Sequence, residues 1–130
     1  MIVLDASIVV EFLMNRPAAQ PLRAVLAQID APCIVPHLLD VEVANALRNL
    51  TVGRQLDQHR TRQLLAQLAQ LPATRYSHIP LLGRIWELRH NFTAYDAAYI
   101  ALAEATNSVL YTTDEKLSRG HRARVALLTR

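Results

Sequence analysis

Four acidic residues occupy positions from which their carboxylates could act together: Asp5, Glu42, Asp96 and Asp114. Asp5 directly follows the apolar run at residues 2–4, and Asp114 follows a second apolar run, as expected for residues that leave buried strands. The carboxyl ends of parallel strands meet at one edge of the sheet, where open α/β sheets bind their ligands. The sequence therefore places at least Asp5 and Asp114 at one predicted binding edge.

Convergence of these acids would favour a hard divalent cation. Two carboxylates 4 Å apart repel each other by roughly 4 kcal/mol at an effective dielectric constant of 20, so a cluster needs a compensating cation. Cys33 is the only cysteine and no histidine is adjacent to the acids, which leaves the oxygen ligands that Mg²⁺ and Mn²⁺ prefer. Such ions bind phosphate oxygens and lower the pKa of bound water. The chemistry indicated is hydrolysis of a phosphodiester.

Each acid taken alone has a structural explanation that is at least as good. Asp5 and Asp114 could cap the helical segments that follow them, and Thr93 with Asp96 could form a capping box. Glu42 lies at the margin of an apolar stripe and could simply be solvated. The joint pattern is what favours a shared site.

The spacing of residues in the sequence does not decide at which edge of the sheet Asp96 lies. It opens an apolar segment that leads into the strand before Asp114. We expect the start of such a helix to lie at the edge of the sheet opposite to Asp5, because the chain reverses direction. An oblique helix and a loop that wraps round would then be needed to bring Asp96 to the other acids.

Short strands alternate with helices along the chain, which predicts a three-layer α/β sandwich with a largely parallel sheet in a single domain, residues 1–130. Gly53 is expected to supply the left-handed turn that ends the third helix. Apolar periodicity predicts strands at 2–4, 33–35, 74–77, 108–111 and 125–128, and helices at 7–14, 18–29, 37–50, 57–71, 80–89 and, buried on all sides, 97–103.

Composition is that of a compact globular chain. Of the 130 residues, 52% are hydrophobic and 19% are charged, and the net charge of +3 permits a polyanionic partner without requiring one. A single cysteine excludes an internal disulfide. No secretory signal and no apolar run of transmembrane length is present, so we expect a cytoplasmic protein.

Four blocks of the sequence resemble the PIN-domain ribonucleases and, among them, the VapC toxins of toxin–antitoxin pairs. The resemblance covers the whole chain and implies a PIN-like three-layer α/β/α sandwich with a mostly parallel central sheet. The blocks occur in the order found in that family: IVLDAS at 2–7, Val35-Pro36 followed by Glu42, TAYDAAY at 93–99 and LYTTD at 110–114.

The resemblance implies that the four acids form one acidic pocket in which they are both catalytic and metal-binding. Asp5 and Asp96 would be the principal metal ligands, and Glu42 and Asp114 would complete the cluster directly or through water. Many family members carry a further acid where this chain has Leu117, which leaves the number of metals open.

Three further residues are predicted to support this pocket. Ser7 and Thr112 match hydroxyl positions that support the metal shell or a phosphate oxygen. Asn45, which stands one helical turn beyond Glu42, could orient that carboxylate.

The function that the resemblance implies is an Mg²⁺-dependent endoribonuclease, with Mn²⁺ as a possible substitute. It would act as the toxin of a type II toxin–antitoxin pair and use an activated water to leave a 5′-phosphate and a 3′-hydroxyl. The implied partners are an RNA substrate and a VapB-type antitoxin, with a homodimer and a heterotetramer or larger assembly, and no membrane. Tyr95, Phe92 and Trp86 are candidates for base stacking, although core packing is the favoured explanation for Trp86.

Two alternatives stay open at this stage. One is a receiver-like α/β binding module, which also places acids and Mg²⁺ at strand ends but needs a lysine after its last strand. No lysine follows residues 125–128. The other is a PIN-like module that has lost catalysis, and the presence of all four acids counts against it.

Overall fold

A single parallel sheet organises the molecule in a computed structural model of the chain, which describes residues 1–28 and 32–129. The described strands follow the spatial order β3-β2-β1-β4-β5, and every neighbouring pair is parallel. The prediction of a mostly parallel central sheet is therefore confirmed. The strands are β1 Ile2–Leu4, β2 Cys33–Pro36, β3 Ala73–Tyr76, β4 Val109–Thr112 and β5 Arg124–Leu127.

Helices cover both faces of the sheet. Right-handed crossovers place the helices before β3 on one face and those between β3 and β4 on the other, because the chain moves in opposite directions along the sheet in the two halves. The helices α1 to α4 accordingly pack on one another, and α5 packs on α6. The α-helices are α1 Ala6–Leu13, α2 Gln20–Gln28, α3 Leu38–Val52, α4 Gln58–Ala69, α5 Leu82–Glu87 and α6 Ala94–Thr106.

The predicted elements all occur, with shifts at their ends. Short 3₁₀ turns at Pro17–Ala19 and Ile79–Leu81 begin the segments predicted as helices over 18–29 and 80–89. The last residue of the first segment lies outside the described residues. A further 3₁₀ turn, Glu115–Ser118, follows β4. No described helix is both long enough and apolar enough to cross a lipid bilayer.

The core lies around β1 and α6. Every residue of β1 is buried, as expected for the central strand of a sheet covered on both faces. Residues 97–103 of α6 are all buried, so the prediction of a helix buried on all sides is confirmed. This helix contacts β1, β2 and β4, and its position is thereby tied to the strands that carry the acids.

Helix α6 corrects the expectation for Asp96. Its last residue is Thr106, and β4 begins at Val109, so the helix ends at the amino edge of the sheet. A 13-residue helix is about 20 Å long and itself makes the return path of the chain from one edge to the other. It therefore begins at the carboxyl edge, and the expectation that Asp96 starts at the opposite edge was wrong.

The turn after α3 corrects the expectation for Gly53. Gly53 has a φ of −76°, and the left-handed residue is Arg54, with a φ of 61°. The amide of Gln55 donates to the carbonyl of Leu50 and that of Arg54 to the carbonyl of Thr51, which together form a Schellman motif. The helix continues to Val52, so the left-handed position falls one residue later than predicted.

We predict that Arg54→Gly stabilises the protein. Glycine avoids the steric cost of a side chain on a left-handed backbone, but it also gives the unfolded chain more freedom. The net gain in the free energy of unfolding should be about 0.5–1 kcal/mol. Thermal denaturation should show a melting temperature higher by about 3 °C. Arg62→Gly, in the exposed part of α4, is the matched control and should destabilise by about 1 kcal/mol. Equal losses in both variants would contradict the assignment.

Candidate active site

The four predicted acids lie at the carboxyl edge of the sheet. Asp5 follows β1 directly, and Asp114 follows the adjacent β4, with Leu4 of β1 in register with Tyr111 of β4. Asp96 is in the first turn of α6. Glu42 comes from α3.

Electrostatic interactions connect these carboxylates in pairs. Asp96 interacts with Asp5, with Glu42 and with Asp114, and Glu42 also interacts with Asp5. Two helices and the segments that follow β1 and β4 thus bring negative charge to one place.

Asp5 is the most deeply buried member of the group. Its side chain is the N-cap of α1: Oδ1 accepts from the amide of Ile8 at 3.1 Å and from the Ser7 hydroxyl at 2.6 Å, and Oδ2 accepts from the Thr112 hydroxyl. Only 5% of the residue is exposed. Burial raises its pKa, although these hydrogen bonds act to lower it, and the charge of Asp96 raises it further. The capping role and a place in the acidic group are therefore compatible.

Ser7 and Thr112 join the ends of β1 and β4. The Ser7 hydroxyl accepts from the amide of Thr113 at 3.0 Å, and the Thr112 hydroxyl accepts from the amide of Asp114 at 2.9 Å. Since both hydroxyls also donate to Asp5, they hold the loop that carries Asp114 against the Asp5 carboxylate. Both residues lie where a supporting role was predicted for them.

Asp96 and Glu42 are half-buried, and both have a raised pKa. Burial is the main cause for each. For Asp96 the charge of Lys116 lowers the pKa and that of Asp114 raises it. For Glu42 a hydrogen bond from Tyr99 lowers the pKa, while the charges of Asp96 and Asp5 raise it. Ionising these groups is thus opposed by desolvation and by the neighbouring acids, and is favoured by Lys116 and by Tyr99.

Tyr99 is the site residue that the sequence reasoning missed. Its hydroxyl donates to Oε1 of Glu42 at 2.6 Å, and burial is the main reason why its pKa is raised. The contact predicted between Asn45 and Glu42 is absent from the part of the chain that the structure describes. Asn45 is exposed, whereas Glu42 turns inward to Tyr99. The available signal was the spacing of Tyr99, one helical turn beyond Asp96.

The donor set fits a hard divalent cation. In the described residues no three His, Cys, Asp or Glu side chains form a group that could hold a metal ion by themselves. Mg²⁺ commonly uses only one or two carboxylates, keeps several waters and takes further oxygens from substrate phosphates. Within residues 1–28 and 32–129 no arginine or lysine forms a salt bridge with Asp5, Glu42 or Asp96, so their charge is left for another cation.

Two exposed aromatic side chains are available near the start of α6 and on the preceding helix. Tyr95 is 63% exposed and Trp86 is 67% exposed, whereas Phe92 is buried. The expectation that Trp86 packs in the core was wrong, because α5 buries none of its residues. The Arg89 guanidinium instead lies over the Trp86 ring, 4.5 Å from its centroid.

Comparison with known proteins identifies the family of the chain. The PIN domain family matches residues 2–122. Ribonuclease VapC9 of Mycobacterium tuberculosis is 43% identical over 118 residues, which cover 91% of this chain and 89% of VapC9. Ribonuclease VapC1 of the same organism is 41% identical, over 89% of this chain and 87% of VapC1.

Solved structures share the fold at low sequence identity. VapBC2 from Rickettsia felis, bound to a DNA fragment from its promoter, has a TM-score of 0.72 at 14% identity and covers 97% of this chain and 98% of its own. PAE2754 from Pyrobaculum aerophilum also has a TM-score of 0.72, at 21% identity, over 95% of this chain and 81% of that one. The fold, the family match and the identity to the VapC relatives together place the chain in the PIN domain family, among the VapC proteins.

Proposed function

We propose that the chain is an Mg²⁺-dependent endoribonuclease that acts as the toxin of a type II toxin–antitoxin pair. The observation that carries the proposal is the gathering of acids at the carboxyl edge, where Asp5, Glu42 and Asp96 have raised pKa values and no salt bridge to arginine or lysine in the described residues. The VapC relatives are named ribonucleases, which supports RNA as the substrate. Mn²⁺ has the same ligand preference and is expected to substitute.

Asp5 and Asp96 are assigned as the principal ligands of the cation. Asp5 is held by hydrogen bonds from Ser7, Thr112 and the backbone of Ile8, so little reorganisation is needed when it binds. Asp96 is fixed in the first turn of the buried helix α6, which begins at Ala94. Glu42 and Asp114 complete the set directly or through water. A bound Mg²⁺ would polarise the scissile phosphate and lower the pKa of a water molecule.

The proton of the attacking water is assigned to a carboxylate of this chain. Glu42 is favoured over Asp114, because burial raises its pKa and makes it a stronger base than an ordinary glutamate. Attack in line with the departing 3′-oxygen leaves a 5′-phosphate on one product and a 3′-hydroxyl on the other. The exposed rings of Tyr95 and Trp86 offer surfaces on which unpaired bases can stack.

The proposed partner is a VapB-type antitoxin, bound to a homodimer of this chain in a heterotetramer or larger assembly. Solved structures with this fold support the partner, since they include a toxin–antitoxin complex from Klebsiella pneumoniae and VapBC2 from Rickettsia felis. The proposed place of action is the cytoplasm.

We predict that Asp96→Asn abolishes RNA cleavage, with a loss of at least about 100-fold, because it removes a principal metal ligand while Thr93 still caps the helix. Cleavage of an RNA pool should require Mg²⁺, stop in EDTA and yield ends that ligate as 5′-phosphates. Asp57→Asn is the matched control: Asp57 also stands at a helix start but caps α4 through the amide of Arg60, away from the acids. Full activity of Asp96→Asn, or cleavage in EDTA, would refute the proposal.

We also predict that metal-free protein loses stability as the pH rises from about 4. A carboxyl with a raised folded pKa contributes stability below its unfolded pKa and loses that contribution as the pH passes its folded pKa. In EDTA at neutral pH, Asp96→Asn should therefore melt about 3 °C above the wild type, and this difference should disappear near pH 4. Mg²⁺ should raise the melting temperature of the wild type more than that of the variant.

The difference between the two proteins is the informative quantity in that experiment. Glu104, with a lowered pKa, loses its contribution as the pH falls and affects both proteins alike. A variant less stable than the wild type at neutral pH in EDTA would contradict the electrostatic assignment.

A further inference from the structure

The Tyr99 hydroxyl makes a contact that packing does not require. Tyr99 is only 2% exposed, and its ring fills part of the core on α6. Phenylalanine would fill the same space without a polar atom. A buried hydroxyl is costly unless it is hydrogen-bonded, and the described partner of this one is the Glu42 carboxylate, at 2.6 Å. The contact joins helices from opposite faces of the sheet, across its carboxyl edge.

Glu42 depends on this one hydrogen bond more than Asp5 depends on any of its own. Asp5 accepts from two hydroxyls and one amide. Tyr99 is the only hydrogen-bond donor to Glu42 in the part of the chain that the structure describes. A half-buried glutamate has three rotatable side-chain bonds, and without the hydroxyl its carboxylate would be free to turn to solvent. The hydroxyl is therefore what determines the orientation of that carboxylate.

Helix α6 thus contributes two residues to the acidic edge. Asp96 supplies a carboxylate in its first turn, and Tyr99 contacts a second carboxylate from the next turn of the same helix. We propose that Tyr99 is a positioning residue, whose hydroxyl holds Glu42 in the orientation in which it serves the divalent cation. This inference rests on the proposed function.

The test is Tyr99→Phe, with Mn²⁺ alone as the probe. Calorimetric titration should show Mn²⁺ affinity reduced by about tenfold, as is typical when the partner of a metal ligand is removed. Turnover of RNA should fall by a similar factor with little change in KM, because the buried hydroxyl does not reach the substrate. Tyr76→Phe is the matched control, since Tyr76 is exposed on β3, and it should change neither quantity.

A double-variant comparison shows whether Tyr99 acts through Glu42. In a Glu42→Gln background, adding Tyr99→Phe should weaken Mn²⁺ binding no further. An additional loss as large as that in the wild type would overturn the positioning role. Unchanged Mn²⁺ affinity and turnover in Tyr99→Phe would overturn it as well, while leaving the proposed function intact. A wild-type protein that neither binds Mn²⁺ nor cleaves RNA would instead remove the proposed function.

A measurement on the unaltered protein covers the case in which Tyr99→Phe does not fold. The proton magnetic resonance of the Tyr99 hydroxyl should shift when Mg²⁺ is added, because its acceptor oxygen belongs to a carboxylate that the cation engages. A hydroxyl resonance that Mg²⁺ leaves unchanged would overturn the proposal.

Discussion

The burial of a carboxylate at the junction of β1 and α1 is the constraint on which the rest of the structure depends. Taking the charge of Asp5 out of water is expensive unless donors surround it. The chain supplies two hydroxyls and one amide from the first turn of α1. Because one of those hydroxyls, Thr112, belongs to β4, stabilising Asp5 also fixes where β4 ends. The hydrogen bond from Thr112 to Asp5 thus links the register of β1 and β4 to the position of the acidic edge.

The two helical layers meet at an edge of the sheet. A sheet covered on both faces keeps its helices apart, and its carboxyl edge is where side chains from both layers can meet. Tyr99 from one layer donates a hydrogen bond to Glu42 from the other layer at this edge. The acids contributed by α3 and α6 are therefore brought together by a direct contact, in addition to the geometry of the sheet.

Much of this arrangement follows from local pattern. Short apolar runs ending in Asp5 and near Asp114 predict parallel strands that share an edge. The hydroxyls of Ser7 and Thr112, which the family resemblance singled out, lie beside Asp5. The errors arose where a result depends on three-dimensional paths. The edge of the sheet at which Asp96 lies is decided by the direction in which α6 runs. The spacing of residues around Asp96 does not reveal that direction.

Other errors have a similar origin. The exposure of Trp86 reflects how little of the short helix α5 meets the core, which amphipathic spacing does not reveal. The hydrogen-bond partner of Glu42 comes from a residue 57 positions away, whereas helical spacing offered only the neighbouring Asn45. Arg54 takes the left-handed position because α3 extends to Val52, and a glycine nearby is a weak guide to where a helix ends.

Ion pairs with arginine are a feature of acids outside the carboxyl edge. Elsewhere in the described chain arginines pair with acids: Arg75 forms two hydrogen bonds to Asp40, and Arg84 forms two to Glu104. Glu104 has a lowered pKa despite its burial, because Arg84 and the backbone amide of Arg122 stabilise its charge.

Three of the four acids at the carboxyl edge behave in the opposite way, whereas Asp114 forms a salt bridge with Lys116. Asp5, Glu42 and Asp96 have raised pKa values in a protein rich in arginine. Burial is the main cause of these raised pKa values, and repulsion between the acids adds to it. A divalent cation bound at this edge would offset the charge that burial and the neighbouring acids disfavour.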